Sequence, residues 1–263
     1  MILNEENYYS KEADLEYMSV SQFKRFIECE ERALAELKGD FIRPYSNALL
    51  VGSYTHAAFE SEEVFNELCE REKSKIFKAR GGKYSDFETA DKMIETLKQD
   101  EFASYILSGE KEKIFTGELF GVKFKIKVDN INLEQGFFSD LKTTKSLYDR
   151  YWSDNHKKYV SFVEKYDYVL QMAVYQNIIM QNTGFKLNPY IVAVTKESPP
   201  DKAIIQFEQS QLDIEIKYLG ELIENVIEVK NGIKEPNRCN KCDYCRHTKK
   251  LNDTISFLDL VWY

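Results

Sequence analysis

The sequence predicts a fold of the α/β (α+β) class, with a central mixed sheet that contains an antiparallel meander and is flanked by helices. Three observations carry this expectation. Helix-period segments fill roughly the first hundred residues; period-two alternation, rich in β-branched and aromatic residues, runs through "KIFTGELFGVKFKIKVDNINLEQGFFSDLKTT"; and helices and strands interleave after it. With 263 residues, 43% hydrophobic and 14% aromatic, the chain has enough apolar material to bury a full core.

The elements follow in order. Ser19 or Ser21 caps a first helix in "SVSQFKRFIECEERALAELKG", where Phe23, Phe26, Ile27, Leu34 and Leu37 form one stripe before Gly39 ends it; Cys29 falls inside this helix. Further helices are expected over "GSYTHAAFESEEVFNELCEREK" and "SDFETADKMIETLKQDEFASYILS". The meander has three strands, with glycines at its turns, and Asp129 and Asp140 on its last two. A helix in "DYVLQMAVYQNIIMQNTG", strands in "NPYIVAVT" and "AIIQFE", a helix from about Ser210 to Asn231, and a cysteine-rich tail complete the chain. The organisation expected is a single domain over residues 1–263, with a helical insertion at about 60–110 and the tail at 236–263.

Composition narrows the function classes. No apolar run approaches membrane-spanning length, and the opening "MILNEENYYSKEADLEYMS" is unlike a secretory or transit segment, so a cytoplasmic protein without membrane partners is expected. A net charge of -8 argues against whole-surface attraction to nucleic acid and leaves room for a local basic groove. The cationic run "REKSKIFKARGGKY" reads as a solvated helix end and loop. Gly81-Gly82-Lys83 is followed by Tyr84, so it is not a phosphate-binding loop, and any ATP-driven helicase acts in trans.

The chemistry concentrates at Asp140-Leu141-Lys142. Alternation puts Asp140 and Lys142 on one face of the strand and Leu141 in the core. If Asp129 and Asp140 sit at adjacent strand ends, two carboxylates share one hard divalent cation with an ammonium beside them. Such a trio suits phosphodiester hydrolysis: the cation polarises the phosphate and acidifies a water, and Lys142 orients the water or stabilises developing charge. Glu118, on the first meander strand, is either an acid that assists a second metal or an exposed strand residue. Thr143 and Thr144 either bind a phosphate or end the strand.

Together with their neighbours these residues resemble the PD-(D/E)XK nuclease superfamily, and within it the RecB-like and phage exonuclease branch with a C-terminal cysteine cluster. "GSYTHAAFE" is similar to the branch's helical motif, "KIKVDNI" and "SDLKTTK" to its acidic and lysine motifs, "LQMAVYQ" to its Gln-x-x-x-Tyr motif, and "MSVSQFKRFIECEERA" to its opening helix. The resemblance implies a restriction-endonuclease-like core and a DNA exonuclease that uses Mg²⁺ or Mn²⁺. It implies His56, Asp129 and Asp140 as metal ligands, Asp129, Asp140 and Lys142 as the catalytic set, Glu60 in support, and Gln171 with Tyr175 facing the DNA. It also implies a bacterial protein, phage- or prophage-encoded, working beside a recombination protein or helicase, or the related nuclease of CRISPR adaptation. Oligomeric state is open. A binding or scaffold protein with a structural metal cluster is the rival reading, and the trio of Asp129, Asp140 and Lys142 counts against it.

Five cysteines, three of them in "RCNKCDYC", suit a reduced compartment and metal ligation. Cys29, Cys239, Cys242 and Cys245 are the ligand set the resemblance implies for a [4Fe-4S] cluster. Zinc is the alternative, and His247 lies close enough to Cys245 for a local Cys3His knuckle without Cys29. Two departures from the branch are visible: Glu30 follows the helical cysteine where relatives often carry proline, and the tail spacing is tight. Cys69 has no ligand pattern around it and is expected to be buried.

Overall fold

A computed structural model describes residues 1–44, 46–153 and 157–260. The last three residues of the predicted tail lie outside the described residues. Helices α1 (Lys11–Glu16), α2 (Val20–Glu28), α3 (Glu30–Lys38), α4 (Asn47–Glu60), α5 (Glu62–Arg71), α6 (Lys73–Ile76), α7 (Ser85–Lys98) and α8 (Glu101–Ile106) precede the sheet. Then come β1 (Glu110–Leu119), β2 (Val122–Asn132), β3 (Phe137–Thr144), the short β4 (Tyr151–Ser153) and β5 (Lys158–Val160), α9 (Phe162–Lys165) and α10 (Tyr168–Thr183). β6 (Asn188–Thr195), β7 (Lys202–Gln206), α11 (Gln209–Lys230) and α12 (Asp243–His247) complete the order. By compactness the chain divides into two units, residues 1–20 with 44–223, and residues 21–43 with the chain from 224 onward.

The first unit holds a five-stranded mixed sheet in the order β1-β2-β3-β6-β7, as the fold-class expectation requires. β1, β2 and β3 form the expected antiparallel meander, β3 pairs with β6 in parallel, and β7 closes the edge antiparallel to β6. The turn from β1 to β2 is the two residues Phe120 and Gly121, with φ of 53° and 74°, the paired positive values a tight hairpin needs. That turn fixes the register, with Leu119 opposite Val122 and Lys113 opposite Val128. α10 packs on the sheet so closely that a Cβ at Gly117 would lie 2.4 Å from Gln181 Oε1, and Gln181 bonds the backbone of Glu118 at 2.9 and 2.8 Å. Leu141 enters a core formed with Val51, Tyr54, Phe87, Met93 and Val192.

Several helices are broken where the sequence pattern reads as continuous. Ser61 ends α4 and caps α5, accepting a bond from Val64 N at 3.2 Å, and Asp100 caps α8 through Ala103 N at 2.8 Å. In both places a residue that competes with the helix by capping has overridden propensity. The cationic run at 71–84 is laced with ion pairs, Lys73 with Glu70 at 3.2 Å and Lys83 with Asp91 at 2.6 Å among them.

In the second unit the opening helix is broken at Cys29, which caps α3 in an extended conformation (φ -167°, ψ 107°) rather than lying mid-helix. Glu30 is therefore the first residue of α3. This is the position at which proline is favoured, so the departure from relatives leaves the helix start intact. Its carboxylate instead accepts bonds from Asn225 Nδ2 at 2.7 Å and Asn237 N at 2.8 Å.

Candidate active site

The ladder between β2 and β3 pairs only Asn130 with Ser139, Ile131 with Phe138 and Asn132 with Phe137. The next facing positions are Asp129 and Asp140, where the strands part. Asp129 takes up the fork: its Oδ2 accepts the backbone N–H of Leu141 at 2.9 Å and lies 3.2 Å from His56 Nδ1, carried in on α4. On β3, Asp140 accepts a bond from Gln171 Nε2 at 2.6 Å and is ion-paired with Lys142. Lys142 Nζ stands 4.8 Å over the ring of Tyr168. Tyr175 lies one helical turn beyond Gln171 on α10, stacked on Phe138 with ring centroids 6.4 Å apart.

Burial and charge set the protonation states. Burial pushes Asp129 up, but His56, Lys142 and the Leu141 N–H together outweigh it and hold the carboxyl at about 2. Burial opposes the charged imidazole of His56, yet Asp129 beside it raises its pKa above the ordinary value. Asp140, only 3% exposed, is shifted upward by burial despite Lys142. Lys142 is driven to about 12, its burial overcome by Asp140 and Asp129, so it is an ammonium at every physiological pH. Tyr175 is raised well above its ordinary value, chiefly by burial.

The structure brings His56, Asp129, Asp140, Lys142 and Gln171 together, with Gln171 bonded to Asp140, while Tyr175, expected beside Gln171 at the DNA, packs on Phe138. Glu60 lines the same small cavity as His56, Phe59, Asp129 and Leu141. Glu118 is not in the site. It is exposed at the far end of β1, opposite Lys123, six residues along β2 from Asp129 or roughly 20 Å at strand rise. The acid that β1 contributes is Glu112, which lines the cavity and pairs with Lys127 at 2.7 Å. The ladder skips Glu112 and Asp129 although their neighbours pair, and Glu112 has a left-handed φ of 52°, the kind of strain that gathers at functional sites. Counting back from the Phe120-Gly121 turn puts residue 112 opposite 129, a signal present in the sequence. Thr144 bonds the Ser146 carbonyl at 3.3 Å at the strand end.

The donors suit a hard divalent cation. They are two carboxylates and an imidazole, and Asp140 Oδ2 is buried with no hydrogen-bond donor aligned on it among the described residues beyond its ion contact with Lys142. In the structure these groups engage one another and Lys142.

Among the described residues, Cys29, Cys239, Cys242 and Cys245 form a group whose sulfurs all lie within 4.8 Å of one another. Cys29 Sγ is 3.5 Å and Cys239 Sγ 3.9 Å from Cys245 Sγ. Cys239 accepts the N–H groups of Lys241 at 3.5 Å and Cys242 at 3.3 Å, and these bonds outweigh burial and draw its thiol down to about 6. Arg238 ties the tail to α3 through Glu31 at 2.7 Å. His247 is exposed and outside the group, so the structure brings together four cysteine sulfurs rather than a Cys3His knuckle; burial raises the Cys29 thiol to about 12 and also raises Cys242. Cys69 is half-buried against the core of the first unit.

The family model of a PDDEXK-like domain of unknown function (DUF3799) matches residues 19–248. The chain belongs to that family. The match places this DUF3799 chain in the PD-(D/E)XK nuclease superfamily, as the motifs imply. Among solved structures, it is similar to one described as "Putative exonuclease" from Eubacterium rectale, at 38% identity and a TM-score of 0.92, over 99% of this chain and 98% of that one. SSO0001 aligns at 14% identity with a TM-score of 0.31 over 85% of this chain and 93% of that one, too loosely to bear on the fold. No curated protein matches. No helix among the described residues is long and apolar enough to cross a membrane.

Proposed function

We propose that this DUF3799 chain is a DNA exonuclease that hydrolyses phosphodiester bonds with Mg²⁺ or Mn²⁺ held by His56, Asp129 and Asp140. The observation that carries the reading is the meeting of Asp129, Asp140 and Lys142 at the β2–β3 fork. The family match and the likeness to the Eubacterium rectale protein support it. The bound cation supplies Lewis-acid polarisation of the phosphate and an acidified water. The chain supplies the rest. Lys142, fixed as a cation by Asp140 and steadied by Tyr168, orients the attacking water and stabilises charge on the phosphate oxygens. Gln171 holds Asp140 in one orientation, and Tyr175 beneath it packs the helix to the strand. Glu60 and Glu112 add two further carboxyl groups to the cavity lining, Glu112 paired with Lys127 at 2.7 Å. The setting that fits is DNA processing in a bacterium, in phage or prophage recombination, with any helicase in trans. Release of acid-soluble nucleotide from DNA in Mn²⁺ by the parent, absent in Asp140→Asn, tests the reading; equal release by both would contradict it.

For the four thiolates we favour a [4Fe-4S] cluster. Three cysteines at two-residue spacing plus one remote cysteine is the way one cluster is held in bacterial ferredoxins. A specific observation supports a second reading. A single tetrahedral zinc with arms of about 2.3 Å has sulfur–sulfur edges of about 3.8 Å, near the separations in the structure, and a cubane spreads the four sulfurs further. Iron and zinc content of anaerobically purified protein decides between them.

A further inference from the structure

The route outward from Lys142 is paved with aromatic rings. Tyr168 lies 4.8 Å under Lys142 Nζ, Tyr166 follows at 5.8 Å between ring centroids, and Tyr151 at 5.9 Å from Tyr166. Tyr151 opens β4, which pairs antiparallel with β5 in a separate two-stranded sheet carrying the cross-strand pair Trp152 and Tyr159, 5.4 Å apart. These rings are not core residues. Tyr166 is 46% exposed, Trp152 47% and Tyr159 64%. A soluble surface carries single exposed aromatics without consequence, but a connected run ending on one buried cation is a different arrangement.

The same stretch of chain is locally positive: residues 142–168 contain six Lys or Arg against four Asp or Glu in a chain whose net charge is -8, with Lys145 and Lys158 ion-paired to Asp149 and Glu164 and Lys165 bonded to the Trp152 carbonyl at 3.2 Å. Aromatic faces interleaved with cations in a locally positive segment are the recognition chemistry of unpaired nucleic acid, where each base stacks on a ring and the phosphates meet the cations. A duplex keeps its base faces inside its own stack and offers nothing to such rings. We propose that the path from Tyr151 through Tyr166 to Tyr168 is a stacking track that leads the end of a single DNA strand to Lys142, and so makes the single strand the preferred substrate. This rests on the nuclease reading for what happens at Lys142, but binding to the track does not depend on cleavage.

Binding is measured by fluorescence anisotropy without added divalent ion, using a labelled single-stranded oligonucleotide and a blunt duplex of equal length. The parent should bind the single strand more tightly. Tyr166→Ala and Tyr151→Ala should each weaken that binding by roughly 5- to 100-fold and leave duplex binding unchanged, while Tyr166→Phe, which keeps the ring, should behave as the parent. Melting temperatures alongside verify that the variants fold. Parent-like single-strand affinity in both alanine variants, a parallel fall for both DNA forms, or loss in Tyr166→Phe equal to that in Tyr166→Ala would each overturn the track. Failure of the nuclease reading looks different: the variants lose single-strand affinity as expected, but the parent cleaves no DNA in Mn²⁺.

Discussion

If His56 is a metal ligand as proposed, a divalent ion that enters the fork competes with a proton on its imidazole. Nδ1 of His56 lies 3.2 Å from Asp129 Oδ2, and the pair moves the two groups in opposite directions, His56 upward and Asp129 down to about 2. For Asp129, 18% exposed, the fall from 3.8 corresponds to roughly 2 kcal/mol of preference for the ionised form, to which His56, Lys142 and the Leu141 N–H all contribute, and Asp129 in turn raises His56. A raised histidine pKa contributes stability that is complete below the unfolded value near 6.5 and is lost as pH rises through the folded value. Without metal, the melting temperature should therefore fall across that window. Metal affinity should rise across it, because a cation at Asp129 with neutral His56 as ligand displaces one proton. Below the folded pKa of His56, each pH unit should change Mn²⁺ affinity about tenfold, or about 1.4 kcal/mol. Calorimetric Mn²⁺ titrations from about pH 5.5 to 8, in buffers of different ionisation heat, read both affinity and proton release. His56→Gln should remove that proton from the balance. A pH-independent affinity in the parent, or an unchanged slope in His56→Gln, would refute the reasoning.

Other consequences follow from neighbouring contacts. Lys142→Met should lower cleavage at least a hundredfold and leave Asp140 buried without its cation, costing about 3–5 kcal/mol; Asp140→Asn in the same chain should restore much of the melting temperature without restoring cleavage. Gln171→Ala removes the 2.6 Å bond to Asp140, so its cleavage should need more Mn²⁺ than the parent's, and an unchanged Mn²⁺ requirement would detach Gln171 from the metal side of the site. Cys29→Ala should lose the bound iron or zinc and melt lower, whereas Cys69→Ala should retain the metal in full by elemental analysis.

The meander was legible because alternation in "KFKIKVDNI" and "FFSDLKTT" matches a strand with one buried face. Asp140 and Lys142 do share the face opposite Leu141 for that reason. The helix breaks at Cys29, Ser61 and Asp100 were not, since the apolar stripe continues through them and only tertiary contacts decide where the chain turns. Strand membership alone does not tell Glu118 from Glu112, because register decides which acid nears Asp129 and register here rests on a two-residue turn. Strands β4 and β5, three residues each, are too short to leave a periodic signal. The partner of Gln171, Asp140, is 31 residues away in sequence, and their bond appears only when β3 and α10 pack.

End-dependent cleavage by a metal site built on Asp129, Asp140 and Lys142 predicts a definite outcome in a single digestion. End-labelled linear DNA and covalently closed circular DNA are incubated in Mn²⁺ with the parent and with Lys142→Met, and products are resolved over time. Progressive loss of the linear DNA, intact circles and inert Lys142→Met are expected. Cut circles, or linear DNA degraded equally by Lys142→Met, would contradict the claim.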